Sequence, residues 1–133
     1  SIGGGVCQLS TTLYNALLHT KLEITERHPH SMPVGYVPLG RDAAIAGDYK
    51  DLRFRNTSNA PVVVLCETTG ERVTVTLYGE KEAAKPDIFI ESIVREENGE
   101  TITVEVYATE LQDGVKVRKL LSVNQYEKEI ELR

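Results

Sequence analysis

Helical periodicity occurs once in this chain, at its N-terminal end, and that confinement limits the possible folds more than any other feature. Leu9, Leu13, Ala16 and Leu17 recur three and four positions apart, with Gln8, Thr11, Thr12 and Asn15 between them. The spacing predicts a helix from about Cys7 to Thr20 with one buried face. Past Lys21 the pattern changes to short β-branched segments at 22–26, 34–37, 43–46, 51–56, 61–67 and 72–78, punctuated by Pro, Gly and Asn. Residues 57–60 and the Thr69-Gly70 pair are turn chemistry, and Pro33, Pro38 and Gly40 keep 31–42 irregular.

Residues 80–86 lack apolar periodicity and read as a linker. Beyond it, 87–95 and 100–109 alternate well, with Ile102, Val104 and Val106 on one face and Thr103, Glu105 and Tyr107 on the other. Glu97-Asn98-Gly99 and Gln112-Asp113-Gly114 are hairpin signals, the second leading into 115–123. The expected fold is therefore α+β: one N-terminal helix packed on a small antiparallel sheet, over residues 1–80, followed by an antiparallel β module over 81–133. The chain has 133 residues, enough for one ordinary core or a small core with an appended β unit.

Charge narrows the partners. The net charge is −5, with 7 basic against 8 acidic side chains in residues 1–80 and 8 against 12 in 81–133. No cluster of Lys and Arg is present to hold a phosphate backbone, so nucleic acid is not an expected partner. No run of about eighteen apolar residues exists in the sequence, so any membrane attachment is expected from segments outside this chain.

Two cysteines, Cys7 and Cys66, stand in unrelated contexts and suggest neither a zinc spacing nor a disulfide. Cys66 lies in the apolar run Val62-Val63-Val64-Leu65-Cys66 and is expected to fill the core. Cys7 follows Gly3-Gly4-Gly5 and enters the first turn of the predicted helix. Free backbone N–H groups and the positive end of the helix dipole favour a thiolate there, and Gly4 and Gly5 let a substrate backbone approach closely. Cys7 is thus placed as an acyl-transfer nucleophile, although a small buried hydrophobe at a helix start is an equally simple reading.

A thiol nucleophile needs a base. His28 and His30 flank Pro29 in an extended segment, where a spacing of two points both rings to one face. Such a pair can also bind metal, or can simply be surface histidines near a proline turn. Asp42, after Gly40-Arg41, can orient an imidazole or pair with Arg41 as a turn residue. His19, near the helix end, is a favourable cation at the negative pole.

Four stretches in order, Gly3 to Ala16 (GGGVCQLSTTLYNA), Glu26 to Ser31 (ERHPHS), Tyr36 to Ala43 (YVPLGRDA) and Asp51 to Asn56 (DLRFRN), resemble the VanW family over residues 3 to about 80. That family is named from a vancomycin-resistance cluster, and its members are bacterial cell-envelope proteins, membrane-anchored or exported. The resemblance implies an extracytoplasmic location and an L,D-transpeptidase-like role on peptidoglycan stem peptides. Cys7 would form a thioester, His30 would serve as base with His28 in reserve, and Asp42 would orient. Gly4, Gly5, Ser10, His28, Ser31, Tyr36 and Arg41 would then contact the stem; no cofactor and no metal is implied. A non-catalytic wall-binding or accessory module, and a thiol peptidase, are the rival readings. The family's domain ordinarily has a further stretch before the triple glycine, which is expected to lie outside the sequence given.

Overall fold

A computed structural model describes residues 4–129. The chain forms two compact units, the first running up to His28 and resuming over Asp42–Pro86, the second made of Pro29–Arg41 and the chain from Asp87 onward. The second unit thus takes in Pro29–Arg41 as well as the chain beyond Pro86.

In the first unit, α1 spans Gly4–Leu17. It begins three residues before the predicted start, so Gly4 and Gly5 form the first helical turn rather than a loop ahead of it. It also ends earlier: Thr20 Oγ1 donates to the Leu17 carbonyl at 2.8 Å, and the amides of His19 and Thr20 donate to the carbonyls three residues back, a tightened turn that closes the helix. Tyr14 and Leu17 are its buried apolar residues, and Leu18 just past its end is buried as well.

Strands β1 (Glu23–Glu26) and β2 (Arg53–Arg55) pair antiparallel, with Ile24 opposite Phe54 and Glu23 opposite Arg55. Strands β3 (Val63–Thr69) and β4 (Arg72–Tyr78) form a second two-stranded ribbon turned at Gly70, whose φ is +59°. Helix α1 contacts β4. Every residue of β3 is exposed, and with it Cys66, contrary to the expectation of core filling. The reason is topological: an apolar run is buried only if a second layer covers it, and β3 pairs with β4 alone. The stretch read as a linker is pinned as well. It forms a 3-10 turn at Lys81–Ala83, and hydrogen bonds from Lys21 N to Ala83 O and from Lys85 N to His19 O, each 2.8 Å, tie it to the end of α1.

Two expected strands do not form. Residues 34–37 turn instead, as Pro33 and Pro38 lack the N–H a ladder needs and Gly35 favours a turn. Residues 43–46 make only an isolated bridge, Ala46 to Lys50, because side chains of α1 take their backbone groups.

The second unit is built on β5 (Phe89–Glu97), β6 (Thr101–Gln112) and β7 (Val115–Glu127), an antiparallel sheet in the order β5-β6-β7. The β6–β7 turn has φ of +51° at Asp113 and +78° at Gly114, the two successive positive values that suit the twist of a two-residue hairpin. The alternation along β6 is realised as read, with Val104, Val106 and Ala108 buried. Val104, Val106 and Tyr126 form the core, against which Leu39, Ile90, Ile102 and Leu121 pack.

Candidate functional site

The first unit holds Cys7 by one segment of chain, 42–45. Thr11, buried on α1, accepts the amide of Ala43 through Oγ1 at 2.9 Å and donates back to the Ala43 carbonyl at 3.3 Å. Ser10 Oγ donates to the same carbonyl at 2.6 Å and lies 3.0 Å from Cys7 O. One turn earlier, Cys7 Sγ donates to the Ile45 carbonyl at 3.6 Å. Ala43 and Ala44 are buried. The contact to Ile45 uses the thiol proton, so it holds Sγ as a donor turned to that carbonyl.

On its other side the same segment meets the chain leaving β1. Ala44 N donates to His28 O at 2.8 Å, and Arg27 Nε donates to Asp42 O at 2.8 Å. Arg27 Nη2 lies 3.5 Å from Asp42 Oδ1, and its guanidinium stacks over Tyr14 at 5.0 Å from the ring centre. Both charged side chains are almost wholly buried, so each requires the other. Asp42 is therefore engaged with Arg27, the neighbour of His28.

His28 pairs with Glu26 in this unit, their Nε2 and Oε2 2.9 Å apart. Glu26 is itself fixed: Asp51 N donates to Oε2 at 3.1 Å, and Arg53 Nε lies 3.6 Å from Oε1. Glu26 was not singled out from the sequence. The signal was available, since residues two apart on an extended strand share a face, and Glu26-Arg27-His28 has that spacing.

His30, Ser31, Tyr36 and Arg41 belong to the second unit. There Ser31 O accepts the amide of Glu127 at 2.7 Å, Arg41 N donates to Pro38 O at 3.1 Å, and Tyr36 is exposed. Ser10, by contrast, is buried with its hydroxyl turned to Ala43. Gly4 and Gly5 lie in the first turn of α1, and a Cβ added at Gly5 would meet nothing within 4 Å, so that turn is open. Gly3 lies outside the described residues. A cavity of about 140 Å³ in the first unit, lined among others by Thr20, Leu22, Val62 and Leu77, does not include Cys7 or His28.

The family model for VanW-like proteins matches residues 1–78. The chain belongs to the VanW family. It is 42% identical over 77 residues to the protein YoaR of Bacillus subtilis (strain 168), covering 58% of this chain and 25% of that relative. It is 29% identical over 85 residues to the vancomycin B-type resistance protein VanW of Enterococcus faecalis (strain ATCC 700802 / V583), covering 60% of this chain and 31% of that relative. The matched part thus spans about a quarter to a third of these curated VanW relatives. No solved structure matches the chain. Within the family match lie α1, the β1–β2 pair and the 42–45 segment, and with them Cys7, Glu26, His28 and Asp42. Among the described residues no three His, Cys, Asp or Glu side chains converge as a metal site, and no helix is long and apolar enough to cross a membrane.

Proposed function

We propose that this VanW-like chain carries the nucleophile of a cysteine acyltransferase acting on peptidoglycan stem peptides in the bacterial cell envelope, with L,D-transpeptidase-like chemistry. The observation that supports it most is the seating of Cys7: a half-buried thiol in the first turns of α1, aligned by the Ile45 carbonyl, beside a helix end whose backbone N–H groups have no partners within the helix. The relative named for vancomycin B-type resistance favours a wall substrate over other acyl donors.

In the proposed reaction the Cys7 proton passes to a histidine of the 28–30 segment, and the thiolate attacks the carbonyl that joins the third, diamino residue of a stem to D-alanine. The C–N bond breaks, D-alanine leaves as an amine carrying the proton, and a thioester remains. The side-chain amine of a second stem then attacks the thioester, gives up a proton, and restores the thiol. N–H groups at the start of α1, where Gly5 leaves room, stabilise the oxyanion of each tetrahedral intermediate. In this reading Asp42 and Ser10 act by holding the 42–45 segment, while Ser31, Tyr36 and Arg41 are the candidates for stem contact.

The test is mass spectrometry of muropeptides after incubation with the full-length protein. Wild type should produce stems joined between two diamino residues, and Cys7→Ala none. A Cys7→Ala protein that joins stems at the wild-type rate, or a wild type that binds stems without joining or cleaving them, replaces this reading with that of an accessory wall-binding module. Release of D-alanine with water as the only acceptor would make it a thiol peptidase.

A further inference from the structure

Which group activates Cys7 is not settled by the order Cys, His, Asp in the sequence, because the two histidines of the motif fall in different units. We propose that Glu26 is a positioning residue that holds His28 as the base for Cys7. The inference rests on the acyl-transfer reading above for its purpose, but not for its geometry.

Three observations carry it. First, Cys7 and His28 are fastened to neighbouring residues of one segment, Cys7 Sγ to the Ile45 carbonyl and the His28 carbonyl to the Ala44 amide. Adjacent Cα atoms are about 3.8 Å apart, so the segment holds the helix start and the end of β1 on its two flanks, two strand spacings or about 10 Å apart, a gap that the two side chains must span. Second, one ring nitrogen of His28 faces Glu26 Oε2 at 2.9 Å, which fixes the ring and leaves the other nitrogen to accept a proton. Third, Glu26 is itself held, by Asp51 N on the same Oε2 and by Arg53 Nε beside Oε1, so the carboxylate that meets His28 has a fixed position.

Among the described residues, the charged group bonded to the ring is Glu26, which in turn meets the backbone of Asp51 and the side chain of Arg53, while Arg27, paired with Asp42, precedes His28 in sequence. The proton of Cys7 moves to the free ring nitrogen directly or through one water, and the imidazolium so formed is stabilised by the Glu26 carboxylate. The thiolate and imidazolium together carry no new net charge, so the step needs no other reactant.

The experiment is the pH profile of iodoacetamide alkylation of Cys7 in the full-length protein, in a Cys66→Ser background, for Glu26→Gln, His28→Ala and His30→Ala. Near pH 7 the first two variants should alkylate about tenfold more slowly than the parent, and the curves should converge by about pH 10, where a thiol ionises without help. His30→Ala should follow the parent throughout. Convergence separates loss of a proton acceptor from a damaged fold, since a structural defect persists at every pH. The proposal is overturned if Glu26→Gln matches the parent near neutrality, if its deficit is constant across the range, or if His30→Ala alone shows the drop. Stem cross-linking is scored separately: its absence would defeat the acyl-transfer reading, while the alkylation profile still decides the Glu26–His28 pair.

Discussion

Gly40 donates its amide proton to the phenol oxygen of Tyr126 at 2.8 Å, across 86 residues of sequence. With φ at +82° and Val106 Cγ2 only 2.3 Å from where a Cβ would stand, Gly40 meets the β6–β7 core with bare backbone. Gly40→Ala should therefore destabilise the second unit by about 2 kcal/mol or more through left-handed strain and overpacking. Tyr126→Phe leaves a buried N–H without its acceptor and should cost about 1–3 kcal/mol. Urea denaturation checks both, and faster hydrogen exchange at the Gly40 amide should accompany the second.

Arg27 and Asp42 form a buried pair in which neither charge can spare the other. Arg27→Met or Asp42→Leu alone should lose about 3–5 kcal/mol, while the double variant should lose less than the sum of the two. A double-mutant cycle by chemical denaturation measures the coupling. Strict additivity would show that the pair contributes nothing beyond its packing.

Thr11 is 0% exposed and both accepts from and donates to Ala43. Thr11→Val keeps the shape but strands the Ala43 amide, for an expected loss of about 1–3 kcal/mol, whereas Thr11→Ser should retain the bonds and lose less. If the 42–45 segment seats Cys7 as described, Thr11→Val should also change the rate of Cys7 alkylation. An unchanged rate in a destabilised protein would separate the two roles.

Cys66 stands on β3, where every residue is exposed. Cys66→Ser should alter stability by no more than about 0.5 kcal/mol, as for other surface substitutions. A loss of several kcal/mol in thermal unfolding of the isolated chain would mean that β3 is covered in solution.

Glu105 on β6 accepts from Arg95 and from Tyr107 Oη, the latter at 2.9 Å, and these bonds hold its carboxyl below the ordinary value of 4.5. A carboxyl lowered on folding adds stability that is present above its unfolded value and is lost as pH falls through the folded one. The effect should be small, because the Arg95 side chain is half exposed and water screens the pair. Acid titration of the unfolding midpoint should thus fall less steeply below about pH 4.5 for Glu105→Gln than for wild type.

Local pattern by itself determined where the elements lie. The single helical stretch, the β3–β4 and β5–β6–β7 segments, and the turns at Asn98-Gly99 and Asp113-Gly114 follow from periodicity and turn chemistry, which act over a few residues. The family was legible too, because its motifs are continuous words such as the one carrying Cys7. What tertiary structure decided is which of those words meet. Cys66 is exposed because no second layer covers β3, and residues 43–46 are not a strand because Ser10 and Thr11 take the Ala43 backbone groups. Asp42 turns to Arg27, His28 to Glu26, and Gly40 to Tyr126. A side chain's own sequence neighbours fix its element and its face, but its partners depend on how separate segments close on one another, and that closure is set by burial and by the need to pair every buried polar group.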